Sequence, residues 1–268
     1  MVETLPHASR LRLDQALAQW RQWRNGPTSP PEVVELLGAG ISNTSLRVNA
    51  GGSDWVLRID GIDPQKLGLS RSTEWRALSH AARQGLSPAP SYQNPELGVL
   101  VCEFIQEQAA DADSGLADIA QLLRAIHDLP PLKFRLDPMS RATHYLQLAG
   151  DEELPRQFLQ ACERLQQDAP DPVLCHNDLL RANRLRGADR LLALDWEYAA
   201  MGDACFDLAV IMEGDSLDQD ACRALHHHYL QREANATEQQ RLQDNRLVYR
   251  ELSRLWECIY SEQNQQRK

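Results

Sequence analysis

Lysine is scarce: of 28 basic residues only Lys66, Lys133 and Lys268 are lysines, so almost any task that needs a cation falls to arginine. Positive charge is itself in deficit, because 28 basic against 38 acidic residues leave a net charge of −10. A field of that sign works against a grip on nucleic-acid phosphates, and no nucleic-acid partner is expected. Long apolar runs are missing too. The longest, such as Leu208 to Met212, fall far short of the ~18 residues a membrane helix needs. The opening segment, Met1 to Gln15, has no continuous apolar core of signal-peptide length. Neither a membrane span nor an export signal is expected, and the expected location is cytoplasmic. The 6 cysteines are dispersed, without a Cys-x-x-Cys pair to clip a metal, which suits reduced thiols. No internal repeat or low-complexity block is present. What remains is 43% hydrophobic and 25% charged, the make-up of a folded globular chain.

Helical spacing of Leu13, Leu17 and Trp20 predicts a helix over 10–24, stopped by the Pro-rich run from Asn25 to Pro31. From Val33 to Asp60, short β-type runs separated by Gly, Asn and Asp turns predict a three-stranded antiparallel meander. A helix follows over 72–84, with Ser72 as its expected N-cap and Gly85 as its stop. Two more short strands are expected around Ser91 and over Val99 to Ile105. Beyond Glu107 the pattern is helical, over roughly 113–128, 140–149, 155–168, 204–213, 216–232 and 236–262. The exception is the stretch from Val173 to Asp195, where two apolar runs flank a polar loop. The expectation is an α+β chain of two lobes, a small antiparallel β-sheet lobe over 1–105 with a linker near 102–106, and a larger helical lobe over 106–268.

The polar loop carries the chemistry. His176-Asn-Asp178-Leu-Leu-Arg-Ala-Asn183 sets a carboxylate and a carboxamide five residues apart, and Asp195 closes the next apolar run twelve residues later. Phosphoryl transfer from ATP needs such a set: one carboxylate to take the acceptor hydroxyl's proton, and an Asn and a second Asp to hold Mg²⁺ on the phosphates. Plainer readings stand beside it. Asp178 could be a helix N-cap and Asn183 a turn residue, or His176 and Asp178 could open a His-x-Asp metal site. Arg58 could be the solvent-facing partner of an alternating strand, and Gly202, Asp203 and Asp207 no more than turn and cap. His226 to His228 read as a solvated helix face, and Trp256 with Tyr260 as ordinary packing at i, i+4.

His176-Asn-Asp-Leu-Leu-Arg-Ala-Asn183, then Leu194-Asp-Trp-Glu-Tyr-Ala199, then Gly202-Asp-Ala-Cys-Phe-Asp-Leu-Ala209 resemble the aminoglycoside phosphotransferase and choline kinase superfamily, of protein-kinase-like fold. The Asp-Trp-Glu-Tyr-Ala form is most similar to bacterial choline kinases and thiamine kinases. The resemblance implies that Asp178 is the catalytic base, that Asn183 and Asp195 are the metal ligands, that His176 braces the catalytic loop, and that Asp207 ties the loop's backbone from the following helix. Leu37-Gly38-Ala-Gly40-Ile-Ser42-Asn43-Thr44 is similar to the family's phosphate-covering hairpin, where small residues let backbone N–H groups approach a nucleotide. Trp55-Val-Leu-Arg58-Ile is similar to the strand that carries a cation to the α- and β-phosphates, with Glu74 in the next helix as its ion-pair partner. Arg stands where aminoglycoside enzymes and protein kinases carry Lys, a departure shared with the choline and thiamine kinase branches, and Arg grips phosphate bidentately. Leu100 to Ile105 matches the linker, whose backbone groups around Glu103 and Phe104 would read the adenine edge.

Asp195 is followed by Trp196-Glu197 rather than Phe-Gly, and no Ala-Pro-Glu segment ending occurs, which disfavours a protein kinase. For the acceptor site the candidates are Glu197, Trp196, Tyr198 and Trp256, a carboxylate with aromatic faces that suits a cationic alcohol of the choline or thiamine kind. An aminoglycoside or other small-molecule kinase, or a catalytically silent nucleotide-binding regulatory protein of the same fold, are the alternatives. The implied cofactors are ATP and Mg²⁺, and the implied partner is a small-molecule alcohol.

Overall fold

Apolar and polar residues alternate along the segment from Val33 to Ile59, and in a computed structural model it forms three antiparallel strands: β1 (Glu32–Ala39), β2 (Asn43–Ala50) and β3 (Ser53–Asp60). The structure describes residues 5–39, 43–108, 115–150, 153–167 and 169–266. Within these the chain divides into two compact units, Met1–Gln106 and Glu107–Lys268.

In the first unit, β4 (Pro90–Asn94) and β5 (Val99–Glu103) complete a five-stranded antiparallel sheet of order β1-β2-β3-β5-β4. The β2–β3 hairpin turns at Gly51 and Gly52, whose φ of +60° and +85° are those of the tight turn that matches strand twist. One sheet face buries Leu46, Val48, Trp55, Leu57, Ile59 and Val101 against Leu13 and Ala16 of α1 (His7–Ala18). Trp23 completes that core, edge-on to Trp55 at 6.2 Å and stacked on Tyr92 at 6.4 Å. The first helix therefore ends earlier than its spacing predicts: it stops at Ala18, a single 3₁₀ turn follows over Trp20–Gln22, and Trp23 turns into the core. Strand alternation sends Arg58 and Asp60 to the opposite face, where α2 (Arg71–Arg83) meets them. Its N-cap is Ser70 rather than the expected Ser72, because the Ser70 hydroxyl is the one that accepts the Thr73 N–H, at 3.3 Å. Gly85, at φ +65°, ends the helix just past Gln84.

The second unit is built on helices α3 (Leu116–His127), α4 (Pro138–Ala149), α5 (Arg156–Gln167), α6 (Ala204–Gly214), α7 (Gln219–Leu230) and α8 (Ala236–Gln266). α6 is apolar on nearly every side, as a helix buried all round must be, and the long α8 packs against α6, α4 and α5. Four three-residue strands interrupt the helices: β6 (Val173–Cys175), β7 (Arg184–Arg186), β8 (Leu191–Ala193) and β9 (Ala200–Gly202). β6 pairs with β9 and β7 with β8. The sequence pattern marked β6 and β8 but not their partners, which are too short and too mixed in character to show periodicity. These two ladders fold the 176–183 loop and Asp195 together. Among the described residues no helix is long and apolar enough to cross a membrane.

Candidate active site

A carboxylate with no solvent exposure has to be partnered on all sides, and Asp207, inside α6, is such a group at 0% exposure. Its Oδ2 accepts the backbone N–H of His176 at 2.8 Å and its Oδ1 that of Asn177 at 2.6 Å. The His127 ring, from the end of α3, lies against the same carboxylate at 3.1 Å through Nε2 and against the Tyr229 hydroxyl at 2.8 Å through Nδ1. A buried helix thus carries the start of the polar loop on one side chain. Sequence reading missed His127. The signal was a lone histidine at the end of an apolar helix, which fits packing equally well.

The loop is then tied across to Asp195. His176 donates from Nε2 to the Leu194 carbonyl at 2.9 Å, and its ring lies 4.7 Å from that of Trp196. Burial holds the His176 imidazole below its usual pKa, outweighing the pull of Asp207 and Asp195, so the ring is neutral and its one N–H is spent on that carbonyl. Leu194 in turn donates its N–H to the Asn183 carbonyl at 2.8 Å. Asn183 turns its amide nitrogen back to Asp178, at 2.8 Å from the main-chain carbonyl and 2.9 Å from Oδ2. Asp215, just past α6, holds the far side of the loop by accepting the Arg181 N–H at 3.0 Å and pairing with Arg184. Asn177 and Asp195 sit at φ +64° and +57°, a region that costs side-chain-bearing residues energy and that occurs where a site over-determines its backbone.

Asp178, Asn183 and Asp195 are half-buried, while Glu197 is buried. Burial, then the nearby Asp195 and Glu197 carboxylates, push the Asp178 carboxyl well above its usual range, against a smaller opposing effect of its Asn183 hydrogen bond. The donor set around the loop is carboxylate and carboxamide oxygen, the hard set that Mg²⁺ prefers and that soft metals do not. The residues present therefore fit the ion.

Of the expected acceptor residues, Trp196 does not face a ligand: it is 1% exposed, packed on His176, and its Nε1 donates to the Ala193 carbonyl at 3.2 Å. Tyr198 and Trp256 do come together, with the indole Nε1 donating to the Tyr198 hydroxyl at 3.0 Å. Trp256 also stacks on Tyr260, ring centroids 5.7 Å apart and planes within 7°. Of the histidine run, His227 and His228 are exposed as expected, whereas His226 is buried at 6% exposure. A cavity of about 300 Å³ in this unit, walled in part by Met139, Cys162, Phe206 and Asn245, does not include Asp178, Asn183 or Asp195 among its walls.

In the first unit Arg58 meets Glu74 as expected, Nη1 to Oε1 at 2.6 Å. Burial alone would raise the Glu74 carboxyl; Arg58 and Arg71 outweigh it and hold the group below its usual range. Gly38 lies in β1, where a Cβ would meet nothing within 4 Å, so no protein contact demands glycine there. Asn43 opens β2, buried and opposite Asp60. Gly40 and Ser42 lie outside the described residues. The backbone N–H of Glu103 goes to the Ala89 carbonyl at 2.9 Å and that of Phe104 to the Asp54 carbonyl at 3.2 Å, so neither is available to a base edge. The Phe104 ring instead carries the Arg47 guanidinium, 4.3 Å from its centroid.

Residues 33–252 match the phosphotransferase enzyme family, APH. The LicA protein of Haemophilus influenzae is 28% identical over 202 residues, which are 68% of this chain and 58% of that protein. A thiamine kinase of Escherichia coli is 25% identical over 194 residues, 69% of this chain and 68% of that enzyme. The crystal structure of a choline/ethanolamine kinase family protein from Mesorhizobium loti aligns with a TM-score of 0.71 at 25% identity, over 94% of this chain and 87% of that one. The chain thus spans less than two thirds of the Haemophilus influenzae relative's length, at 58%.

Proposed function

Because the chain belongs to the phosphotransferase enzyme family, matched over 33–252, we propose that it moves the γ-phosphoryl group of ATP, with Mg²⁺, to the hydroxyl of a small cationic alcohol of the choline or thiamine kind. The observation that carries this reading is the hydrogen-bonded chain from Asp207 through His176 and Leu194 to Asn183 and Asp178, which brings a base and an oxygen donor set to one loop.

In this reading Asp178 accepts the proton of the acceptor hydroxyl as that oxygen attacks phosphorus. The bond to the bridging oxygen of the leaving ADP breaks in line, and no covalent enzyme intermediate forms. The raised basicity of Asp178 suits proton acceptance. Asn183 and Asp195 would hold Mg²⁺, which when bound neutralises phosphate charge. The first unit is the nucleotide-binding part: Arg58, fixed by Glu74, grips phosphate oxygens. Glu197 supplies negative charge near Asp178, and Trp256 with Tyr198 and Tyr260 offer the aromatic faces that an onium group prefers.

The test is ADP release with Mg·ATP against choline, ethanolamine, thiamine, several aminoglycosides and simple sugar alcohols, with Asp178→Asn as the blank. Turnover on one cationic alcohol that vanishes in the variant is expected. Turnover on an aminoglycoside alone would replace the acceptor class. Silence across the panel with Mg·ATP bound would favour a regulatory nucleotide-binding protein.

A further inference from the structure

We infer that Arg71, the first residue of α2, is a positioning residue for Arg58, and that together with Asp60 it sets where the Arg58 guanidinium can reach; this rests on the reading that Arg58 grips nucleotide phosphates. Four charged groups lie together where β3 meets α2. Arg71 sends Nη2 and Nε to the two oxygens of Asp60, at 2.7 and 3.0 Å, and Nη1 to Glu74 Oε2 at 2.7 Å. Glu74 gives its other oxygen, Oε1, to Arg58 at 2.6 Å, and Arg58 Nη2 lies 3.7 Å from Asp60 Oδ1. All four side chains are at most 8% exposed, so water screens these contacts little.

The division of labour follows from the geometry. Arg71 has all three of its nitrogens on carboxylates, so it is committed to protein contacts. Because Glu74 is held on both oxygens, it cannot rotate about its carboxyl axis, and the direction of Arg58 is fixed with it. Asp60 is a competitor: it stands two residues along β3 from Arg58, on the same sheet face, and Arg71 occupies it. Without Arg71, two buried carboxylates would share one guanidinium, and Arg58 would be drawn from 3.7 Å into contact with Asp60, away from any phosphate. Lysine at 71 cannot replace the fork, since one ammonium group cannot span three acceptor oxygens on two carboxylates in these directions.

The experiment is steady-state kinetics on the full chain with the acceptor found in the panel, varying ATP and acceptor separately. Arg71→Met should raise KM for ATP about tenfold or more, with KM for the acceptor nearly unchanged. Arg71→Lys should fall between that variant and the parent. The decisive arm is the double variant Asp60→Asn with Arg71→Met: with the competing charge removed, KM for ATP should return most of the way to the parent value. A purely structural Arg71 would leave the double variant no better than the single one, and that result, or an unchanged KM for ATP in Arg71→Met, would overturn the inference. Arg58→Met separates the two levels. If it leaves KM for ATP untouched, the phosphate reading of Arg58 fails; if it raises KM while Arg71→Met does not, only the role of Arg71 fails.

Discussion

Asn183 donates its amide nitrogen to both the main-chain carbonyl and the carboxylate of Asp178, at 2.8 and 2.9 Å. With the nitrogen spent on Asp178, the amide oxygen is the atom that would meet the proposed Mg²⁺. Asn183→Ala should therefore lower kcat by about a hundredfold and raise the Mg²⁺ concentration for half-maximal rate. A magnesium titration of ADP release checks this, and an unchanged midpoint would remove Asn183 from the metal site.

Asp207 is a stability element, because it accepts two buried backbone N–H groups of the polar loop. Asp207→Ala would leave the His176 and Asn177 N–H groups buried without their acceptor. Each orphaned buried donor costs roughly 1–3 kcal/mol, so a loss of about 2–6 kcal/mol is expected for the two. Urea unfolding should show a lower midpoint with an unchanged slope.

Asp178 gives a pH signature with a definite sign. Its folded-state pKa is raised by burial, then by Asp195 and Glu197, so the folded protein keeps this proton to higher pH than the unfolded chain does. Stability from this group is complete below the unfolded carboxyl pKa and falls as pH climbs from there toward the raised folded value. Asp178→Asn removes that cost. In metal-free protein its melting temperature should exceed the parent's at neutral pH and converge with it in acid, while turnover is lost by several orders of magnitude. Thermal melts across pH, with equal melting temperatures throughout, would contradict the electrostatic account.

Trp256 is tied through Tyr198 to Asn177, the residue before Asp178. Trp256→Ala should raise KM for a cationic acceptor about tenfold, what a cation–π contact of roughly 1–2 kcal/mol provides, and leave KM for ATP alone. Equal effects on both constants would mean that the indole only packs.

Much of this fold could be read in the sequence, because its strands and helices carry strong local periodicity. The meander from Val33 to Asp60 and the α6 segment after Asp203 are examples. The loop residues from His176 to Asn183 were legible through type and spacing. What escaped was non-local. His127 reaches Asp207 across 80 residues, and Arg71 takes its meaning from Asp60 on another element. Trp196 was misjudged because its neighbours in sequence, Asp195 and Glu197, drew it into their role, whereas its indole packs on His176. The β7 and β9 strands exist only through their partners.

The most direct test is ³¹P NMR of ATP and Mg²⁺ with the parent chain and choline or thiamine. The expected result is a new phosphomonoester resonance growing with ADP, absent with Asp178→Asn. Nucleotide binding with no phosphomonoester from any alcohol, or equal formation by parent and variant, would contradict phosphoryl transfer through this loop.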